Sequence, residues 1–265
     1  MTAPYRIDVH HHPSPPSYLS ARFARDKQYG PQKDWTVARS LDDMDRGGVA
    51  TAMLSLPHSV QIWPGRRDET RGLARDWNEY MAKLAIDHPG RFGVFAALPI
   101  LDIEGSLEEV TYALDTLKAD GIALMTNIGD KWLGDPHYAP VFEELNRRGA
   151  IVYTHPVAPT CCRDLLPELN DSMIEYGADT TRAIAKMLFG GAAVRYPRIR
   201  FIFSRSATNP PLVLQSRYAS QSPSDTATAC LLPKYTRRRF KQDRSVFRVV
   251  GLLRPPLRVR IPSLT

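Results

Sequence analysis

Six short, mostly apolar runs alternate with stretches of helical periodicity, and this alternation restricts the fold more than any other feature of the chain. The runs are residues 7–12, 49–56, 92–98, 122–125, 150–154 and 199–204. They are near-continuously apolar rather than alternating, as strands covered on both faces are. Strand–helix repetition of this kind builds a parallel sheet from right-handed βαβ units. A doubly wound sheet and a (βα)8 barrel both satisfy the pattern, and both gather ligands at the C-terminal ends of the strands. No glycine-rich phosphate loop follows any strand, which disfavours a nucleotide fold. The fold class is therefore α/β of the (βα)8 TIM-barrel type, incomplete, with about six βα units and the last strands lost or replaced.

The helices between the runs carry recognisable ends. Ser40-Leu41-Asp42-Asp43 reads as a helix start capped by Ser40, and Gly47-Gly48 ends that helix. Residues 69–87 place Leu73, Trp77, Met81 and Leu84 at helical spacing, a stripe that needs only core packing to explain it. Ser106 and Glu109 have the spacing of a capping box, and Gly121 stands where that helix should stop. Asp135-Pro136 opens a further helix that ends at Gly149, and another helix is expected near 180–194. The long segment 13–34, rich in Pro and aromatics, suits a loop that covers a site.

The chemistry concentrates at two strand ends. In Ile7-Asp8-Val9-His10-His11-His12, strand geometry sends His10 and His12 to one face and His11 to the other. His155 closes the fifth run, and in a barrel the two strand ends open on one face. Three neutral imidazoles suit zinc or another borderline divalent ion. Such an ion lowers the pKa of bound water or polarises a substrate oxygen. His58, His88 and His137 occupy turns and a helix start, where structural or solvent-facing roles suffice.

Charge divides the chain in two. Residues 205–265 hold 12 Lys+Arg against 2 Asp+Glu, leaving 23 against 26 for residues 1–204. A mildly acidic body thus precedes a basic tail. The composition is otherwise that of a globular protein, with no run of about 18 apolar residues and hence no transmembrane helix. The N-terminus lacks the apolar stretch and cleavage site of a signal peptide. Three cysteines, two of them the adjacent Cys161 and Cys162, make no disulfide framework and suit the cytoplasm.

The body resembles the branch of the amidohydrolase superfamily that contains aminocarboxymuconate-semialdehyde decarboxylase and 6-methylsalicylate decarboxylase. The resemblance rests on Ile7 to His12 with Pro15-Pro16, Asn78-Glu79-Tyr80, His88-Pro89-Gly90-Arg91-Phe92-Gly93 and Ala97-Leu98-Pro99. It continues through Ala113 to Gly121, Thr154-His155-Pro156 and Asp179-Thr180-Thr181-Arg182-Ala183. It implies a (βα)8 barrel with one divalent metal, zinc by the donor set, held by His10, His12 and His155. It also implies non-oxidative decarboxylation of a small aromatic or unsaturated carboxylic acid, with a metal-dependent amide or lactone hydrolase as the alternative. In the loop after the fourth run, Asn127 and Trp132 are candidate substrate contacts, while Lys131 suits solvent. A homodimer is the assembly considered; no membrane or nucleic-acid partner is expected.

The resemblance breaks after Phe201-Ile202-Phe203-Ser204. The branch continues there with His-Ala-Gly-Gly and, after its eighth strand, an aspartate ligand; this chain has Arg205-Ser206-Ala207-Thr208 and no such aspartate motif. Arginine stays protonated and can neither relay a proton nor bind a cation. The domain division is accordingly 1–204 as barrel and 205–265 as basic tail. The abruptness of the break favours a shifted frame or altered splice over an evolved nucleic-acid-binding segment. A non-catalytic incomplete barrel is the third reading, and no catalytic residue is assigned.

Overall fold

A computed structural model describes residues 6–17, 35–56, 67–129 and 131–204. The tail, Arg205 and most of the loop 13–34 lie outside them, as does His58. Six parallel strands form one sheet in the order β1 (Arg6–His11), β2 (Val49–Leu54), β3 (Phe92–Ala97), β4 (Gly121–Met125), β7 (Ile151–His155), β8 (Arg200–Phe203). A two-residue hairpin, β5 (Asn127–Ile128) and β6 (Lys131–Trp132), interrupts the sequence after β4. The main helices are α1 (Val37–Gly47), α2 (Arg67–Asp87), α3 (Ile103–Thr111), α4 (Ala139–Arg148), α5 (Glu175–Phe189) and the short α6 (Ala192–Arg195).

The sheet is curled. In a flat sheet β1 and β7 would stand four strand spacings apart, about 19 Å at ~4.8 Å each. Yet Tyr153 Oη on β7 lies 2.8 Å from His10 Nδ1 on β1. Only a sheet closing on itself allows this, and the result is the curled half of a (βα)8 barrel. Two layers of apolar side chains follow from the curl. Val9, Met53, Phe95, Ala123, Tyr153 and Ile202 pack on the inside, with Phe95 stacked on Tyr153 at 5.2 Å between ring centroids. The alternate residues, such as Val94, Ile122, Val152 and Phe201, pack outward under the helices.

All six strands appear where the apolar runs place them, and the α2 stripe is buried at Trp77, Met81 and Leu84. The helix ends are less faithful. Thr36, not Ser40, caps α1 by accepting from Arg39 N–H, while Ser40 is buried against Trp35 and His11. Asp102, not Ser106, caps α3 through Gly105 N–H. Ser106 is buried inside the helix, and Glu109 turns to Asn78 and Arg75 instead of closing a box. Gly121 stops no helix: it begins β4, where an added Cβ would meet Ile151 carbonyl oxygen at 2.5 Å. A π turn, Tyr112–Thr116, and left-handed Lys118 end the α3 segment before it. The helix expected at 180–194 starts at Glu175 and breaks at Gly190-Gly191. Asp135 caps a single 3-10 turn, and α4 proper begins at Ala139 and ends at left-handed Gly149.

Candidate metal centre

The end of β1 is bent to aim its histidines. Three residue steps from Asp8 to His11 face only two from Ala52 to Leu54, so the strand holds one extra residue, a bulge. Asp8 Oδ1 accepts from His10 N–H at 2.9 Å within it. The chain then presents His10 and His12 to the barrel interior, while His11 turns outward to Ser40 Oγ at 2.9 Å.

His155 arrives on the same face from the end of β7. The ring centroids of His10 and His12 each lie 5.0 Å from that of His155. One nitrogen from each ring lies within 4.8 Å of the other two, and these three make a group of potential metal donors among the described residues. His155 is buried and the other two are half-buried, so the face is reachable from one side.

The hydrogen bonds decide which nitrogens face inward. His12 Nδ1 lies 2.8 Å from the Ser55 carbonyl, and His155 Nδ1 lies 2.8 Å from that of Pro156. A carbonyl only accepts, so both Nδ1 atoms carry hydrogen and donate. When neutral, each ring therefore presents a bare Nε2 lone pair. His10 Nε2 stands 3.0 Å from His12 Nε2, and His10 Nδ1 is held by Tyr153 Oη. When Tyr153 Oη donates to His10 Nδ1, His10 Nε2 carries the proton that bridges to His12 Nε2, and a divalent ion held by the three rings would take the place of that proton. Outer partners that fix ring and tautomer are the usual support of histidine ligands. The donor set thus fits a borderline divalent ion.

Asn127 and Trp132 lie just after β4, in the β5–β6 hairpin, with their side-chain donors turned to the fold. Asn127 Nδ2 donates to Asp179 Oδ2 at 2.7 Å and to the Val157 carbonyl at 3.1 Å. Trp132 Nε1 donates to Asp179 Oδ1 at 2.7 Å, and Thr126 Oγ1 donates to the same carboxylate. Their side-chain N–H groups are spent on the fold, so neither offers a donor to a ligand. Asp179, fully buried on α5, ties the segment after β4 to that helix, while Asn127 and Thr126 tie the same segment to Val157 after His155. Lys131 is exposed, as expected. Sequence reading missed Tyr153 and Asp179. Tyr153 shares the inward face with His155 two residues on, a period-2 signal that could have found it.

The ends of β2, β3 and β4 line a small apolar pocket with Leu56, Ala97, Leu98, Ala123 and Met125. Met125 is the register partner of His155, and Leu56 follows the Ser55 that holds His12. The pocket thus lies at the ends of β2, β3 and β4, while the histidines come from the ends of β1 and β7.

The family model described as Amidohydrolase matches residues 7–209. The chain belongs to the amidohydrolase family. It is 38% identical over 240 residues to the decarboxylase yanB of Aspergillus niger, covering 83% of this chain and 65% of that protein. With 6-methylsalicylic acid decarboxylase of Penicillium expansum it shares 33% identity, over 79% of this chain and 66% of the relative. The chain therefore spans just under two thirds of the length of these curated relatives. Among solved structures, an amidohydrolase II superposes with a TM-score of 0.73 at 29% identity, covering 82% of this chain and 71% of that one. A 5-carboxyvanillate decarboxylase of Novosphingobium aromaticivorans, solved with manganese and a nitrobenzoic acid, gives 0.69 at 20% identity over 84% and 72%. At that identity the likeness is one of fold. The match ends five residues past Ser204, close to where the sequence motifs break off.

Proposed function

We propose that this chain carries the site of a metal-dependent, non-oxidative decarboxylase of a small aromatic or unsaturated carboxylic acid. The observation that carries the reading is the convergence of His10, His12 and His155, with His12 and His155 locked by their Nδ1–H donors. In this reading those three residues are the protein's metal ligands. A divalent ion held there supplies Lewis-acid polarisation of a substrate oxygen. The chain's own residues do the rest. Ser55 and Pro156 carbonyls and the Tyr153 hydroxyl keep the imidazoles aimed. Leu56, Leu98 and Met125 line an apolar pocket at the neighbouring ends of β2, β3 and β4. Asn127 and Trp132 contribute shape beside the substrate rather than hydrogen bonds.

Named relatives support the choice of carboxylic acids: one is a 6-methylsalicylic acid decarboxylase, and a structural neighbour is a 2,6-dihydroxybenzoate decarboxylase bound to 2,6-dihydroxybenzoate. The imidazole set favours zinc, and the manganese in the 5-carboxyvanillate decarboxylase makes manganese its rival. Three cysteines without a disulfide framework suit a cytoplasmic setting. Residues 1–204 form the barrel in this reading, and residues 205–265 are the basic tail.

A specific observation favours a second reading, an incomplete barrel without catalysis. Arg205 stands where the resemblance calls for a proton-carrying histidine. Elemental analysis after dialysis against zinc or manganese, followed by carbon dioxide release from substituted benzoic acids, separates the readings. One ion per chain with carbon dioxide release supports the decarboxylase. One ion with ring or amide opening but no carbon dioxide moves it to a hydrolase, and an ion without turnover supports the second reading. No bound ion at excess metal would sink the metal site itself.

A further inference from the structure

Outside the histidine cluster, one pair of reactive side chains is brought together by the fold. Cys161 and Cys162 sit in a single 3-10 turn, Thr160–Cys162, with their Sγ atoms 2.6 Å apart. Both are free thiols; Cys161 is exposed and Cys162 half-buried. Neighbouring residues in an extended strand would point to opposite faces, so the turn is what sets the two sulfurs side by side. The pair follows His155 by six residues. Arg163 Nε bonds the Ala158 carbonyl at 3.2 Å, folding the segment back on itself, and Val157 N–H bonds Thr126 Oγ1 at 3.3 Å. The turn is thus joined by a short, hydrogen-bonded stretch to the loop that carries a candidate metal ligand.

We propose that Cys161 and Cys162 form a two-electron redox site that a hydroperoxide closes into a disulfide between adjacent residues. The exposed Cys161 attacks the peroxide as thiolate and becomes a sulfenic acid, releasing the alcohol, or water from hydrogen peroxide. Cys162 then displaces water from the sulfenic sulfur, and the S–S bond forms. Two thiols lose two hydrogens and two electrons, and the peroxide O–O bond takes them up. The eight-membered ring so formed strains the turn, and strained disulfides are the readily reduced ones. The closure is therefore reversible by a dithiol.

The order of attack follows from exposure and environment. Cys161 faces solvent, whereas the Cys162 thiol is pushed up chiefly by its hydrogen bond with Cys161, with burial adding to it. Cys162 is the resolving partner for that reason.

The test uses the full chain, treated with limited hydrogen peroxide and then alkylated and digested with trypsin. Cleavage after Arg148 and Arg163 isolates both cysteines in one peptide, residues 149–163, apart from Cys230. The expected result is complete loss of alkylation at both sulfurs, a peptide lighter by two hydrogen atoms, and full recovery of both sites after dithiothreitol. In the Cys162→Ser variant the intramolecular product should vanish and Cys161 should carry added oxygen instead. Both thiols still alkylated, or either one joined to Cys230 or to a second chain, would overturn the proposal. So would closure no faster in the folded chain than in urea, because the proposal rests on the proximity that the turn imposes.

Discussion

Removing the Asp179 carboxylate should destabilise the barrel more than any single loss at its surface. The side chain is fully buried and accepts from Thr126 Oγ1, Asn127 Nδ2 and Trp132 Nε1, with Arg182 Nη1 at 3.7 Å. In Asp179→Ala three donors lose their acceptor. Each buried donor left unsatisfied costs about 1–3 kcal/mol. Trp132 is half-buried and regains water, so it falls at the low end, while the removed charge no longer needs desolvation. A net loss of about 3 kcal/mol results, a large part of the ~5–15 kcal/mol a domain of this kind holds. With a urea dependence of about 2 kcal/mol per molar, the unfolding midpoint should drop by about 1.5 M. Asp179→Asn keeps the volume and one carbonyl oxygen but turns an NH2 toward a donor, so about half that loss is expected. Equilibrium urea unfolding followed by circular dichroism measures both. A midpoint shift below ~0.3 M for the alanine variant, with unchanged slope, would refute the view that this carboxylate pins the segment after β4 to α5.

Three further outcomes follow from the same geometry. Gly121→Ala puts a Cβ at 2.5 Å from the Ile151 carbonyl oxygen, and because that atom is backbone the variant should lose about 2–3 kcal/mol by thermal or urea unfolding; wild-type stability would show that the β4–β7 approach is looser. Tyr153→Phe keeps the stack on Phe95 but removes the hydroxyl from His10, so metal affinity measured by competition with a chelator should fall about 10-fold while the far-ultraviolet spectrum stays the same. The Glu144 carboxyl is held down to about 2 by its hydrogen bond from Arg147 and that from Arg148, against burial. A folded pKa below the ordinary 4.5 gives stability that is present above pH 4.5 and lost as pH falls toward 2. Glu144→Gln should therefore flatten the stability profile across that window; an unchanged acid limb would exclude the pairing as its source.

The strand order and the histidine pair could be read from the chain because both depend on local periodicity. A buried parallel strand must be apolar along its length, and at the end of β1 the alternation from His10 to His12 sends His10 and His12 one way and His11 the other. The third donor, His155, was legible because it closes a run of the same kind. The caps of two helix starts were not, since the expected residues are taken by other partners: Ser40 by His11 and Trp35, Glu109 by Asn78 and Arg75. Local rules count the groups within one turn and cannot see a hydrogen-bond partner 29 or 31 residues away.

The hydrogen-bond partners of Asn127 and Trp132 were hidden for the same reason. In sequence they are polar and aromatic residues in a loop after a strand, a common setting for ligand contacts. Their side-chain donors are claimed by Asp179, 52 and 47 residues away. Sequence by itself determined the alternating strands, the barrel class and the identity of three imidazoles. Tertiary structure alone decided that the sheet curls far enough to bring β1 to β7, that Tyr153 and two carbonyls lock the rings, and which glycine permits close strands. Periodicity is set by neighbours along the chain, whereas burial, tautomer and donor pairing are set by whatever the fold brings alongside.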